Sequence, residues 1–211
     1  MNIVIIVGNG KFNDSSFSQF FDSKRHILIA ADGGANHLKK LDLFPKKIIG
    51  DLDSLEDLEW WERKTEIIHV PDQHSTDIEK CLEHIEAYAY IIYGASGDRI
   101  DHTFEMLHVL KKYSEKRIVF VHETDILFAL PKAWSTQLPI GTRLSLYPLE
   151  KTKAISSHGL KHPIDDLVFE QGTQIGTSNE TTYENVKIVL QNPGLACILP
   201  VEFLQQIIST S

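Results

Sequence analysis

Cysteine is nearly missing from this chain, with two thiols, Cys81 and Cys197, in 211 residues. They stand far apart in apolar surroundings, which excludes a disulfide framework and fits small buried hydrophobes in a reducing compartment. Basic residues are outnumbered, 21 against 29 acidic ones, for a formal charge of −8. A dedicated nucleic-acid surface would be basic, so no nucleic-acid partner is expected. Phosphate-bearing small molecules stay open, because a metal ion can bring positive charge locally. No apolar run is long enough to cross a bilayer. The opening Met-Asn-Ile-Val-Ile-Ile-Val-Gly has no basic start and stops at Gly8, too short for a span and unlike a signal peptide. The expectation is a cytoplasmic protein with no membrane partner. Internal repeats, low-complexity segments and flexible linkers are also lacking.

What is present divides into two textures. Up to about residue 124, β-branched apolar runs alternate with helical patterns. The runs are 2–7, 26–31, 47–49, 66–70, 89–93 and 117–121. Strands separated by helices imply βαβ units and a parallel sheet. The helix after the fifth run is expected to turn Phe104, Leu107 and Leu110 inward. Beyond residue 124 helical periodicity disappears. Short β-type runs at 125–130, 143–148, 166–170, 186–190 and 195–199 lie between glycine-bearing turns, as in a small antiparallel sandwich. The expected fold is an α/β domain over 1–124 with a mainly parallel sheet, followed by an all-β sandwich domain over 125–211.

Each early strand ends in a polar cluster. Gly8-Asn9-Gly10 follows the first; with Asn13 in place of a third glycine it reads as a turn that brings backbone close to a ligand or to the next strand. Asp32-Gly33-Gly34 follows the second and opens a helix, a layout suited to backbone passing near an anion, or merely to a sharp turn. Gly50-Asp51-Leu52-Asp53-Ser54 follows the third. On an extended segment Asp51 and Asp53 would point the same way, which suits a hard divalent cation such as Mg²⁺. They could equally cap the next helix through Ser54. Ser75 or Thr76 reads as the cap of the helix holding Asp77, a place where the helix dipole favours a carboxylate. In parallel sheets ligands bind outside the carboxyl ends of the strands. Asp32, Asp51, Asp53, Asp72, Asp77, Arg99, Asp101 and His102 are therefore expected to face one crevice.

In order along the chain stand Ala-Asp-Gly-Gly-Ala-Asn (31–36), Gly-Asp-Leu-Asp-Ser (50–54), Asp-Gln-His-Ser-Thr-Asp (72–77), Gly-Asp-Arg-Ile-Asp-His (97–102) and Gly-Thr-Ser-Asn-Glu (176–180). Together these resemble the thiamin pyrophosphokinase family. The resemblance implies an α/β domain followed by a β-sandwich, a homodimer with active sites between subunits, and Mg²⁺-dependent transfer of the pyrophosphoryl group of ATP to the thiamin hydroxyl, giving thiamin diphosphate and AMP. Carried over by motif, it implies that Asp51, Asp53 and Asp77 hold Mg²⁺, with Asp32 nearby. Gly33, Gly34, Asn36, Gln73, Thr76, Arg99 and His102 join Asp32 around the nucleotide. Asp101 lies near the transferring group or thiamin, and Ser178 and Asn179 hold thiamin.

The chain departs from the common pattern where Asp98 replaces a second glycine and Met106 replaces an Asn, so that one polar ligand contact is either absent or supplied by Glu105. No tryptophan follows Trp134 to offer thiamin an aromatic face. Two rival readings accompany this one. A haloacid-dehalogenase-like phosphatase would use Asp51 as nucleophile, but Ser54-Leu55 replaces the Gly-Thr or Gly-Val usual there. A non-catalytic thiamin or nucleotide sensor would have no need of the full acidic set.

Overall fold

The computed structural model describes residues 2–97 and 99–209, so Asp98 lies outside the described residues. The chain separates into two compact units. The first is Met1–Met106 with Lys116–Glu123, and the second is Leu107–Glu115 with Thr124–Ser211.

The first unit is built on six parallel strands: β1 (Ile3–Val7), β2 (His26–Ala31), β3 (Lys47–Gly50), β4 (Glu66–His69), β5 (Ala89–Tyr93) and β6 (Ile118–Val121). Their spatial order is β6-β5-β1-β2-β3-β4. The chain steps outward from β1 to β4, then returns to place β5 on the other side of β1. That reversal opens a crevice beyond the carboxyl ends of β1 and β5, where open α/β sheets bind ligands. Val4 to Val7 and Ala89 to Tyr93 are buried on both faces, which is why these central strands read as unbroken apolar runs.

Five helices connect the strands: α1 (Asp14–Phe20), α2 (Gly34–Lys40), α3 (Leu58–Glu62), α4 (Asp77–His84) and α5 (Ile100–Lys112). Asn13 is the cap of α1, its side chain accepting from the Ser16 N–H at 2.9 Å. The residue that spoils a glycine fingerprint thus starts a helix. Thr76 and Glu79 form a reciprocal capping box on α4. On α5 the expected inward face is corrected: Phe104 is 61% exposed, while Met106, Val109 and Leu110 are buried. A stripe at 106, 109, 110 and 113 follows the helical repeat, and Phe104 falls on the opposite side.

The second unit holds two antiparallel sheets, the sandwich expected. One runs β12 (Gly176–Glu180), β9 (Arg143–Pro148), β14 (Leu195–Pro200), β7 (Asp125–Ala129). The other runs β11 (Val168–Phe169), β10 (Thr152–His158), β13 (Asn185–Leu190), β8 (Ala133–Gln137). Strands β8, β10 and β12 are additions to the sequence reading. They carry few buried positions: only Trp134 and Thr136 in β8, Thr152 and Ala154 in β10, and Asn179 in β12. A short closing helix, α6 (Leu204–Ser209), is a further addition.

Candidate functional site

Strand β2 runs out at Ala31, and Asp32 follows with φ at +44°. Its N–H still bonds the Ile49 carbonyl at 2.9 Å, so the ladder to β3 fixes its backbone in this sparsely populated region. The carboxylate is buried. Oδ2 accepts from the Ser54 N–H at 3.0 Å, and Oδ1 finds no hydrogen-bond partner among the described residues. Burial is the main reason its pKa is pushed up to about 6, aided by the charges of Asp77, Asp53 and Asp51 and opposed by the Ser54 N–H.

Past β3 the chain does not stay extended. Leu52 has φ at +66°, and the Asp53 N–H donates back to Asp51 Oδ1 at 3.3 Å. The two carboxylates come together through this tight turn, a correction to the extended geometry expected for them. Oxygens of Asp32, Asp51 and Asp53 all lie within 4.8 Å of one another. An orphaned buried oxygen among three converging carboxylates is the donor set a hard divalent cation takes, so the residues fit such an ion.

Asp77 lies outside that set of three. It and Asp32 crowd the same place above Gly50, where a methyl group would stand 2.7 Å from Asp32 Cβ and 3.0 Å from Asp77 Oδ1. The glycine is what lets both carboxylates approach. Asp77 is tied to Lys80, whose Nζ donates to Asp77 Oδ1 at 2.9 Å and to Asp51 Oδ2 at 3.4 Å. Burial works against the charge of Lys80, but the bonds and charges of Asp77 and then Asp51 outweigh it and raise its pKa. Gln73 donates to Asp51 Oδ2 at 2.8 Å. That bond is the largest influence holding Asp51 below the usual carboxylate range.

A cleft of about 780 Å³ opens beside this cluster, lined by Gly8–Lys11, Ala31, Asp51, Gln73–Ile78, Lys80, Gly94, Ala95, Gly97, Arg99, His102 and Glu105. It lies at the β1–β5 reversal. There the Gly8 and Gly10 N–H groups bond the Tyr93 and Gly94 carbonyls, each at 2.8 Å. The Gly-Asn-Gly turn therefore serves both the neighbouring strand and the cleft wall.

Of the residues singled out on sequence, Asp51, Gln73, Thr76, Asp77, Arg99 and His102 meet in this cleft, and Asp32 and Asp53 join it through Asp51. Arg99 is exposed and pairs with Asp101, Nη2 to Oδ2 at 2.5 Å. That bond is the main cause of the lowered Asp101 pKa. Asp101, Asp72, Gly33, Gly34 and Asn36 are not among the cleft-lining residues. Asn36 spans the loop after the acidic turn, donating to the Ser54 carbonyl at 2.9 Å and accepting from the Glu56 N–H at 3.1 Å.

In the second unit, Ser178 is exposed with φ at +62°. Asn179 is 5% exposed, and its amide accepts from the His162 N–H at 3.1 Å and donates to the His162 carbonyl at 2.8 Å. A side chain so committed shapes the loop beside Ser178.

Two cleft residues escaped the sequence reading or entered it only in passing. Lys80 sits within the buried face of α4, between Ile78 and Leu82, where a lysine is out of place unless paired. That misplacement, three residues after Asp77, was its signal. Glu105 lies one helical turn beyond Asp101 on α5. Its Oε1 is buried without a partner among the described residues, and desolvation leads the causes of its raised pKa. It thus stands where the substitute contact for Met106 was sought, while Met106 itself is buried.

The raised pKa of Asp32 sets a pH dependence. A carboxyl that titrates near 6 when folded and near 3.8 otherwise favours the folded state most below the lower value. That contribution is lost as pH rises through the higher one. The Asp32→Asn variant, which keeps an acceptor for Ser54, should therefore melt several degrees above the parent at neutral pH without metal. The gap should close as pH falls toward about 4. Thermal melts in chelator across that range check it, and a variant less stable than the parent at neutral pH would refute it.

Comparison with known proteins supplies the context for this geometry. Residues 18–121 match the family described as thiamin pyrophosphokinase, catalytic domain, and residues 135–195 match thiamin pyrophosphokinase, vitamin B1 binding domain. Thiamin pyrophosphokinase 1 of Caenorhabditis elegans is 29% identical over 183 residues, covering 78% of this chain and 75% of the relative. Thiamine pyrophosphokinase 1 of Oryza sativa subsp. japonica is 29% identical over 206 residues, covering 82% and 78%. Among solved structures, thiamin pyrophosphokinase from Geobacillus thermodenitrificans superposes with a TM-score of 0.81 at 23% identity, over 95% of this chain and 97% of the other. That from Candida albicans gives 0.81 at 19% identity, over 94% and 89%. At these identities the structural likeness speaks for the fold.

Proposed function

Because the chain belongs to the thiamin pyrophosphokinase family, and is thus a diphosphate-transferring enzyme, we propose that its acidic cleft binds Mg²⁺ and ATP and delivers the pyrophosphoryl group to thiamin. The observation that carries this reading is the convergence of Asp32, Asp51 and Asp53 oxygens within 4.8 Å, one of them buried and unpartnered, at the mouth of the β1–β5 crevice. Asp51, Asp53 and Asp32 would hold the ion, with Asp77 kept in reserve beside them by Lys80. Bound there, Mg²⁺ supplies neutralisation and polarisation of phosphate oxygens.

In the reaction the thiamin hydroxyl oxygen bonds to the β-phosphorus of ATP and loses its proton to solvent. The bond from that phosphorus to the α,β-bridging oxygen breaks, and AMP departs. Such transfers depend on positioning and charge neutralisation more than on covalent participation of the protein. Gln73 steadies Asp51 for this purpose, and Arg99, held by Asp101, stands at the cleft rim to meet phosphate charge. His102 and Thr76 flank the nucleotide. Thiamin is taken up with the help of exposed Ser178, presented by the loop that Asn179 fixes, in a homodimer whose sites lie between subunits. Among the described residues no helix is long and apolar enough to cross a membrane. Two buried free thiols support a cytoplasmic setting.

The phosphatase and sensor readings draw no support from the families matched. Incubation with ATP, Mg²⁺ and thiamin, followed by chromatography, should give AMP and thiamin diphosphate in equal amounts. ADP or free phosphate as the nucleotide-derived product would overturn the assignment.

A further inference from the structure

Helix α4 brings a cation into the middle of the acidic cluster. Lys80 is 1% exposed, and its ammonium is shared between Asp77 Oδ1 at 2.9 Å and Asp51 Oδ2 at 3.4 Å. Asp51 belongs at the same time to the set that converges with Asp32 and Asp53. Four carboxylates gathered this closely repel one another, and a buried carboxylate without a partner is costly. An ammonium shared by Asp77 and Asp51 relieves part of that repulsion without any metal, while Asp32 Oδ1 stays without a partner among the described residues. The ammonium also opposes a second cation, since like charges a few ångströms apart in a poorly screened setting interact strongly.

We propose that Lys80 is a positioning residue for cation loading. It holds Asp51 and Asp77 in place before the divalent ion arrives. By repelling that ion it keeps the affinity for free cation low, so that the ion is taken up together with the nucleotide polyphosphate. The inference rests on reading the cluster as a Mg²⁺ site. The bonds of Lys80 to two carboxylates and its near-complete burial suit an internal counter-ion better than a side chain reaching into the cleft to grip phosphate.

The test is Lys80→Met, which keeps an apolar stem and removes the charge, with Lys80→Arg as the charge-retaining control. Mn²⁺ binding without nucleotide is measured by calorimetry, and thermal melting is followed in chelator and at saturating Mn²⁺. The methionine variant should bind Mn²⁺ about tenfold more tightly than the parent, or more. It should melt lower than the parent in chelator and recover most of the difference with Mn²⁺, while turning over more slowly at unchanged nucleotide KM. The arginine variant should keep the parent's Mn²⁺ affinity. A role in packing alone predicts the opposite, equal or weaker Mn²⁺ binding by Lys80→Met, and that result overturns the proposal. If the variant folds only with Mn²⁺, the proposal is supported in its extreme form. If Lys80→Met and Lys80→Gln both stay unfolded at saturating Mn²⁺, it is overturned. AMP formation by the parent together with unchanged Mn²⁺ affinity in the variant would defeat this inference alone. Absence of Mn²⁺ binding in both would defeat the metal reading as well.

Discussion

Replacing Asp53 by alanine is expected to lower turnover with ATP, Mg²⁺ and thiamin by on the order of 10³-fold while leaving the melting temperature almost unchanged. The separation of the two effects follows from where Asp53 sits. Its side chain is exposed, and the bond it accepts, from the Ser54 hydroxyl at 2.9 Å, is local to the turn. The backbone bond from the Asp53 N–H to Asp51 survives the substitution. The turn is also held from outside by the Ser54 N–H on Asp32 and by Asn36 on the Ser54 carbonyl. Asp53 is thus the member of the converging trio least engaged in holding the fold. If the trio binds the ion, alanine takes away one of its protein oxygens and the phosphate charge it would balance goes unmet. Steady-state AMP production over a Mg²⁺ titration, paired with thermal melts, reads both sides. Turnover within a few-fold of the parent would remove Asp53 from the metal site.

The parts of this molecule that could be read from sequence are those where one physical demand decided the residue. Val4 to Val7 and Ala89 to Tyr93 must be apolar on both faces because helices cover the parallel sheet on either side, so the strands and the edge carrying the polar clusters were legible. Where two demands met, the reading failed. Phe104 lies among apolar residues of α5 but off the buried stripe, so composition and periodicity disagreed. Strand β8 buries alternate positions with polar ones between them, and β10 and β12 leave most of their positions partly or fully exposed, which resembles loop as much as strand. Leu52 shows no sign in its side chain of the left-handed backbone that brings Asp51 and Asp53 together. Lys80 and Asn179 are polar groups whose burial also involves partners distant in sequence: Asp51 joins the nearby Asp77 on Lys80, and His162 holds Asn179. Only the folded chain reveals such pairings.

Gly34 makes the same point from the side of stability, and its substitution should have the largest effect on folding. The sequence leaves open whether Gly34 lets backbone approach an anion or only allows a sharp turn, and the folded chain shows a close approach to the protein itself. A methyl group on Gly34 would stand 1.8 Å from the Val7 carbonyl oxygen and 2.6 Å from its carbon. Those atoms belong to the end of β1, the strand flanked by both β2 and β5, and backbone there has no room to give. Gly34→Ala must therefore drive the start of α2 away from the sheet by more than an ångström. The displaced segment carries Asn36 and adjoins Asp32, so the acidic turn loses its outer brace and its buried carboxylate together. A loss of more than about 4 kcal/mol is expected, seen as a sharply lowered melting temperature or insoluble expression. Gly33→Ala is the control, because the three atoms nearest its added methyl all belong to the Asn9 side chain, from 2.6 Å, and an exposed side chain can swing aside. The order of the two melting temperatures decides the matter. If Gly34→Ala melts as high as Gly33→Ala, the contact between α2 and β1 is looser than the geometry requires.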